Sequence, residues 1–467
     1  MPPLAIFGVA LALVIGAILL LRVHAFLALL GAAALVAILT PPSTLERAAL
    51  ERGLAPEAAA TLAGTPAGER VAASFGRTAG QIGLLIVMAS IIGATLLDSG
   101  GADRIVRFAL GAVGTARAPA AFLGSGFLLS IPVFFDTVFF MLIPLVKATR
   151  IRSGGHYIYY LLAVIAGGTM THSLVPPTPG PLFMANELGV NLATMAIGGC
   201  LVGGCAAAAG YLYAGWMDRR WPVPLRDPAA ALAELERTAA VDVRELPPLW
   251  LSLLPILLPI ALITGQAMAG VREDGALWQV WLRLAGEKNA ALAIGAAIGA
   301  FMLWRSAPDR LMKSTTTALS AAGIIILITA AGGAFGSMLQ QTGLGADIRG
   351  LVSAYDLPVL PLAFVLTVLF RTALGSATVA MITSAGALSG LALAGDLGFH
   401  PVYLALAIGC GSKPIWWMND SAFWVITQMS GLTEREGLRY LTPMSIVTGT
   451  TGLVATMIGA AVFPMAG

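Results

Sequence analysis

Two segments of this 467-residue chain stop helices in places where a helix is otherwise demanded. Residues 171–181 read Thr-His-Ser-Leu-Val-Pro-Pro-Thr-Pro-Gly-Pro, and residues 411–421 read Gly-Ser-Lys-Pro-Ile-Trp-Trp-Met-Asn-Asp-Ser. Both interrupt long apolar stretches, and they start about 240 positions apart. Proline lacks a backbone donor and clashes with the preceding turn, so a helix does not run through such a segment. Within a bilayer, the freed backbone groups are tolerated only where protein or a water-filled cavity surrounds them. Paired interruptions in the two halves of a chain are the sequence mark of a secondary transporter's binding site.

Composition supports the bilayer setting. The chain is 58% hydrophobic and 11% charged, where a soluble domain carries about 25% charged residues. The net charge of +3 is spread over loops, with no polybasic tract that would point to nucleic acid. The three cysteines, Cys200, Cys205 and Cys410, sit in small-residue apolar stretches and match no zinc or haem spacing, so packing roles are expected. The first apolar run, Leu4–Leu21, is followed by Arg22 rather than preceded by basic residues. That polarity reads as a retained span with an outside N-terminus, not a signal peptide.

Hydropathy predicts spans at 4–21, 25–40, 80–97, 192–216, 248–270, 289–304, 318–339 and 441–463, with broken helices at 156–190 and 401–427. The stretches 118–147 and 357–392 are too long for one crossing and carry breakers near their middles, so they read as re-entrant hairpins. Basic loops place both termini on the periplasmic side. Segment 41–79 is Ala-rich with mixed charges and fits an interfacial helix. The prediction is an all-α polytopic membrane protein with two inverted-topology repeats, each of about five transmembrane helices, one broken, plus one hairpin. The first repeat covers 1–216, a cytoplasmic linker covers 217–247, and the second repeat covers 248–467. Gly83-Leu-Leu-Ile-Val-Met-Ala-Ser-Ile-Ile-Gly93 is echoed by Gly323-Ile-Ile-Ile-Leu-Ile-Thr-Ala-Ala-Gly-Gly333, and Gly101-Ala-Asp103 by Gly345-Ala-Asp347.

Polar residues at the interruptions are the candidates for chemistry. Asp136 stands among large apolar neighbours, where a carboxylate costs several kcal/mol unless paired or protonated. It either couples a proton or substrate, or locks the hairpin through hydrogen bonds. In the first break Thr171, Ser173 and Thr178 offer hydroxyls, and a freed helix N-terminus favours an anion. His172 is a proton relay or a structural hydrogen-bonding group. In the second hairpin Arg371 is a bidentate carboxylate clamp or a snorkelling anchor, while Gly375, Ser376 and Thr378 allow close approach and supply donors. The second break adds Ser412, Lys413, Asn419 and Asp420, with Lys413 and Asp420 expected to pair with each other or with substrate. Ser130, at the first hairpin's middle, completes the binding set, and proton coupling is assigned to Asp136, His172 and Asp420. Trp416 and Trp417 fit packing or an interfacial belt at least as well as a pocket wall.

At these residues the chain resembles the gluconate permease (gluconate:proton symporter) family of the ion transporter superfamily. The resemblance covers nearly the whole chain. Its motifs are Asp98-Ser-Gly-Gly-Ala102, Ile131-Pro-Val-Phe-Phe-Asp136, His172-Ser-Leu-Val-Pro-Pro-Thr-Pro-Gly-Pro181, Gly375-Ser-Ala-Thr-Val-Ala380, and Asn419-Asp420 followed by Phe423-Trp424. It implies proton-driven uptake of gluconate or a related sugar acid across a bacterial inner membrane. It also implies a homodimeric elevator, with protons as coupling ion and no metal or organic cofactor. The chain departs from the family before the Asn-Asp pair, where Trp416-Trp417-Met418 replaces Ser-His-Val. Two alternatives stay open. One is a sodium-coupled carboxylate carrier, with backbone carbonyls at the breaks as ligands. The other is a membrane-embedded enzyme seeded by His172 and Ser173.

Overall fold

A computed structural model describes residues 2–51, 53–114, 117–226, 245–268, 277–347, 350, 358–392, 397–418 and 420–465. Among these are twenty helices and no strand. Seven helical stretches are long and apolar enough to cross a membrane, as a multi-pass protein requires.

The chain opens with α1 (Pro3–Leu19) and α2 (Ala25–Leu39), followed by two short helices, α3 (Pro42–Glu51) and α4 (Pro56–Gly64). Helix α5 (Ala67–Asp98) begins well before the expected position 80. Of its early charges Arg70 is internal, while Glu69 and Arg77 are exposed. Arg70 is 5% exposed and donates to the Ala37 carbonyl at 2.8 Å and to Gln341 Oε1 at 2.7 Å. Those bonds let a charged residue enter the bundle, so the helix has no reason to stop there.

Helix α6 (Gly101–Val113) leads to the first hairpin, α7 (Ala118–Leu129) and α8 (Phe135–Ser153), whose arms are joined by residues 130–134. At 1.5 Å per residue α7 is about 18 Å long, short of the roughly 30 Å hydrocarbon core. The first broken helix is α9 (Tyr157–Leu174) and α10 (Pro179–Glu187), and α11 (Leu192–Arg220) closes this half. Helix α11 continues four residues beyond the predicted span end, into the start of the expected linker. Most of that linker, 227–244, lies outside the described residues.

The second half holds α12 (Leu249–Met268), α13 (Leu277–Gly286), α14 (Lys288–Ser306) and α15 (Pro308–Gln341). A second hairpin follows, α16 (Val359–Leu374) and α17 (Ala377–Ala392), and then a second broken helix, α18 (Pro401–Gly411) and α19 (Ser421–Ser430). Helix α20 (Glu434–Val462) ends the series. Hairpin, broken helix and long helix thus occur twice in the same order. The long helices meet across the molecule, α5 against α15 and α11 against α20. The lower arms exchange partners: α10 packs on α17, and α19 packs on α8.

Glycine lets these elements approach backbone to backbone. A Cβ on Gly126 of α7 would lie 2.7 Å from the Val164 carbonyl oxygen of α9. One on Gly409 of α18 would lie 2.9 Å from the Ser173 carbonyl oxygen. Small residues at such crossings are how membrane helices pack without a hydrophobic driving force.

Candidate functional site

The second hairpin places Arg371 in the last turn of α16, just before Gly375 turns the chain in left-handed conformation (φ 70°). Arg371 is 4% exposed, so it is no snorkelling anchor. Its Nε donates to the Ser412 carbonyl at 3.0 Å and its Nη2 pairs with Asp420 Oδ2. Asp420 is also the N-cap of α19, where Oδ1 accepts from the Ala422 amide at 2.7 Å. One carboxylate therefore starts a helix and neutralises a buried guanidinium. Breaking such a pair strands a charge in low dielectric.

This corrects one expectation. Asp420 pairs with Arg371, not Lys413. The Lys413 ammonium, 8% exposed, donates to the Thr169 carbonyl of α9 at 3.0 Å. An ammonium has three donors, and no carboxylate takes one here among the described residues.

These groups face a cavity of about 190 Å³. Asp136, in the first turn of α8, lies on its wall. No hydrogen bond or ion pair holds the Asp136 carboxylate among the described residues. The hairpin-locking reading therefore has no bond to rest on. Of the other expected residues, His172, Gly375, Ser376, Thr378 and Ser412 also line the cavity. Its interior thus combines one cation without a carboxylate partner, one free carboxylate, hydroxyls and an imidazole. That set suits a small polar anion.

Four expected residues point elsewhere. The Thr171 hydroxyl donates to the Gly167 carbonyl at 3.1 Å. The Thr178 hydroxyl lies 2.8 Å from the His172 carbonyl oxygen and 2.7 Å from that of Val175, closing the break on itself. Ser130 and Ser173 are buried away from the cavity, and neither Oγ has a hydrogen-bond partner among the described residues. His172 Nδ1 also lacks a partner among the described residues, so within them His172 and Ser173 form no nucleophile–base dyad. Asn419 lies outside the described residues.

The cavity also has walls that sequence reasoning missed or ranked low. Phe134 meets His172 edge-on with ring centroids 5.8 Å apart, and Phe135 meets Trp416 at 6.2 Å. Trp416 is a pocket wall, while the Trp417 indole turns away to the Thr372 carbonyl at 3.2 Å. Thr169, Ser445 and Thr448 were not anticipated. Ser445 and Thr448 stand at i, i+3 on α20, just after the interior Pro443, and those were the available signals. No cluster of three or more His, Cys, Asp or Glu residues suited to a metal occurs among the described residues.

Residues 3–462 match the GntP family permease description. A permease of Haemophilus influenzae, described as uncharacterized, is 32% identical over 97% of this chain and 91% of its own length. The gluconate permease of Pseudomonas aeruginosa is 31% identical over 82% of this chain and 85% of its own. The Gnt-II system L-idonate transporter of Escherichia coli is 28% identical over 82% and 86%. Among solved structures, the YdaH transporter of Alcanivorax borkumensis superposes with a TM-score of 0.60 at 15% identity, covering 85% of this chain and 89% of that one. MtrF of Neisseria gonorrhoeae gives 0.61 at 16%, covering 85% and 83%. At those identities the likeness is one of fold.

Proposed function

Because this chain belongs to the GntP permease family, we propose that it is a symporter carrying gluconate or a related sugar acid, with protons, into the cell across a bacterial inner membrane. It is a permease and not an enzyme, so the reading seeded by His172 and Ser173 is set aside. The observation that carries the proposal is one cavity bordered by both Lys413 and Asp136, neither of which has an ion-pair partner among the described residues.

In this reading Lys413 binds the substrate carboxylate through a charge-assisted bond. Arg371 is held in place by Asp420 and contributes field rather than direct contact. Ser376, Thr378, Ser445 and Thr448 bond the sugar hydroxyls, and Asp136 takes the coupled proton, with His172 beside the path. The aromatic wall of Phe135 and Trp416 supports the apolar face of the carbon chain. By the family resemblance Trp416 replaces a Ser, and this changed wall bears on which sugar acid is carried.

The repeated order of elements and the exchanged packing of α10 and α19 support two inverted repeats. Short arms meeting at one site support re-entrant hairpins; the elevator and the homodimer follow from the family resemblance, and the periplasmic termini from the basic loops. Uptake into proteoliposomes tests the coupling. An inward proton gradient should drive gluconate or L-idonate accumulation. The Asp136→Asn variant should bind the acid yet lose the response to pH. Accumulation that ignores the proton gradient and follows sodium would transfer the reading to a sodium-coupled carrier.

A further inference from the structure

A second cavity, about 570 Å³, is bordered by α5, α15 and the turn between α7 and α8. Phe134 belongs to its wall as well as to the wall of the central site. Thr137 faces this second cavity, one residue beyond Asp136, which faces the central one. The start of α8 is therefore a thin partition between two spaces, with Phe134 on both walls.

The chemistry of the second space is that of an anion site. Arg310 and Lys313, both exposed, lie in the first two turns of α15, whose N-terminal end adds partial positive charge. Asp98 is the opposing carboxylate on the wall, so cations outnumber acids there. Thr137 and Thr317, both exposed, add hydroxyl side chains to the wall. A third cavity, of about 470 Å³, carries Glu287 beside Lys288, one charge of each sign, and has no such bias.

We propose that the space between α5, α15 and the first hairpin's turn is a cytoplasmic-side staging site, through which the transported organic anion leaves the central one. Arg310 and Lys313 hold the departing carboxylate, Thr137 and Thr317 offer it hydroxyls, and Phe134 divides this site from the central one. The proposal rests on the reading of the chain as a sugar-acid carrier.

Its test is made so that the two readings fail separately. Thr317 lines the cavity and is exposed, so Thr317→Cys in the full chain provides a reporter thiol. In proteoliposomes it is treated with a sulfonatoethyl or a trimethylammonioethyl methanethiosulfonate. Rates are normalised to a free thiol and to the parent chain, whose own cysteines set the background. The anionic reagent should react at least about ten-fold faster, and high salt should erase the difference. Adding Arg310→Gln and Lys313→Gln should equalise the two reagents. The same pair of substitutions should raise several-fold the KM for gluconate presented at the cytoplasmic face, read as efflux or exchange, while leaving equilibrium binding at the central site unchanged. Equal or cation-favoring labelling of the parent reporter overturns the staging site, whatever the substrate. If no sugar acid binds the parent chain, the carrier reading falls instead, and the reagent ratio still decides whether the cavity gathers anions.

Discussion

The two broken helices do the same thing to the backbone and different things with the result. The 171–181 break holds more prolines and closes on itself: the Thr178 hydroxyl sits on two carbonyls of its own segment, and Thr171 bonds one turn back. The 411–421 break has one proline and opens outward. Its Ser412 carbonyl receives Arg371, its Lys413 reaches across to α9, and its Asp420 both caps α19 and holds the guanidinium. Breaker density thus marks where a helix stops. Where substrate is held depends on which freed groups remain unspent once the break has satisfied itself.

The largest expected effect attacks the charged break. Asp420→Asn leaves Arg371 buried against a single carbonyl and should cost about 3–5 kcal/mol, with uptake abolished. Thermal unfolding in detergent measures the first and proteoliposome flux the second. Combining it with Arg371→Gln should return most of the stability without returning transport. An Asp420→Asn protein as stable as the parent would erase the contrast between the breaks.

A smaller effect is expected from Lys413→Gln. It removes a cation whose remaining donors face the cavity, so anion affinity should fall roughly ten- to a hundred-fold, the scale of one charge-assisted bond. A binding isotherm reads this directly, and unchanged affinity would move the carboxylate site elsewhere. The smallest effect belongs to the self-closed break. Thr178→Val should lower stability by about 1–2 kcal/mol and leave the KM where it was. A raised KM would mean that the first break touches substrate after all.

Much of this was legible in the sequence. Shortage of charge and the positions of Pro176, Pro177, Pro179 and Pro414 gave spans, hairpins and breaks close to where they stand. Chain-local signals reach that far. Pairing among charges was not legible, because Arg371 and Asp420 are 49 positions apart and meet only when α16 packs on the second break. Sequence proximity favoured Lys413 as the partner, and packing overruled it. Arg70 was hidden for the same reason: its partners on α2 and α15 are invisible locally, so its burial does not show among the exposed charges of its segment. Ser445 and Thr448 stayed hidden because α20 is unbroken there, and nothing in a regular helix announces which face meets a cavity.

The central site contains two cations, Arg371 and Lys413, and two carboxylates, Asp420 and Asp136. With all four ionised and His172 neutral, the empty site is formally uncharged. A monovalent acid arriving with one proton leaves it uncharged again. An uncompensated charge crossing the bilayer meets about 2.3 kcal/mol per 100 mV of membrane potential. On the symport reading, loaded and empty sites carry the same net charge, so membrane voltage does no net work on either. The return of the empty carrier is then as electrically silent as the delivery.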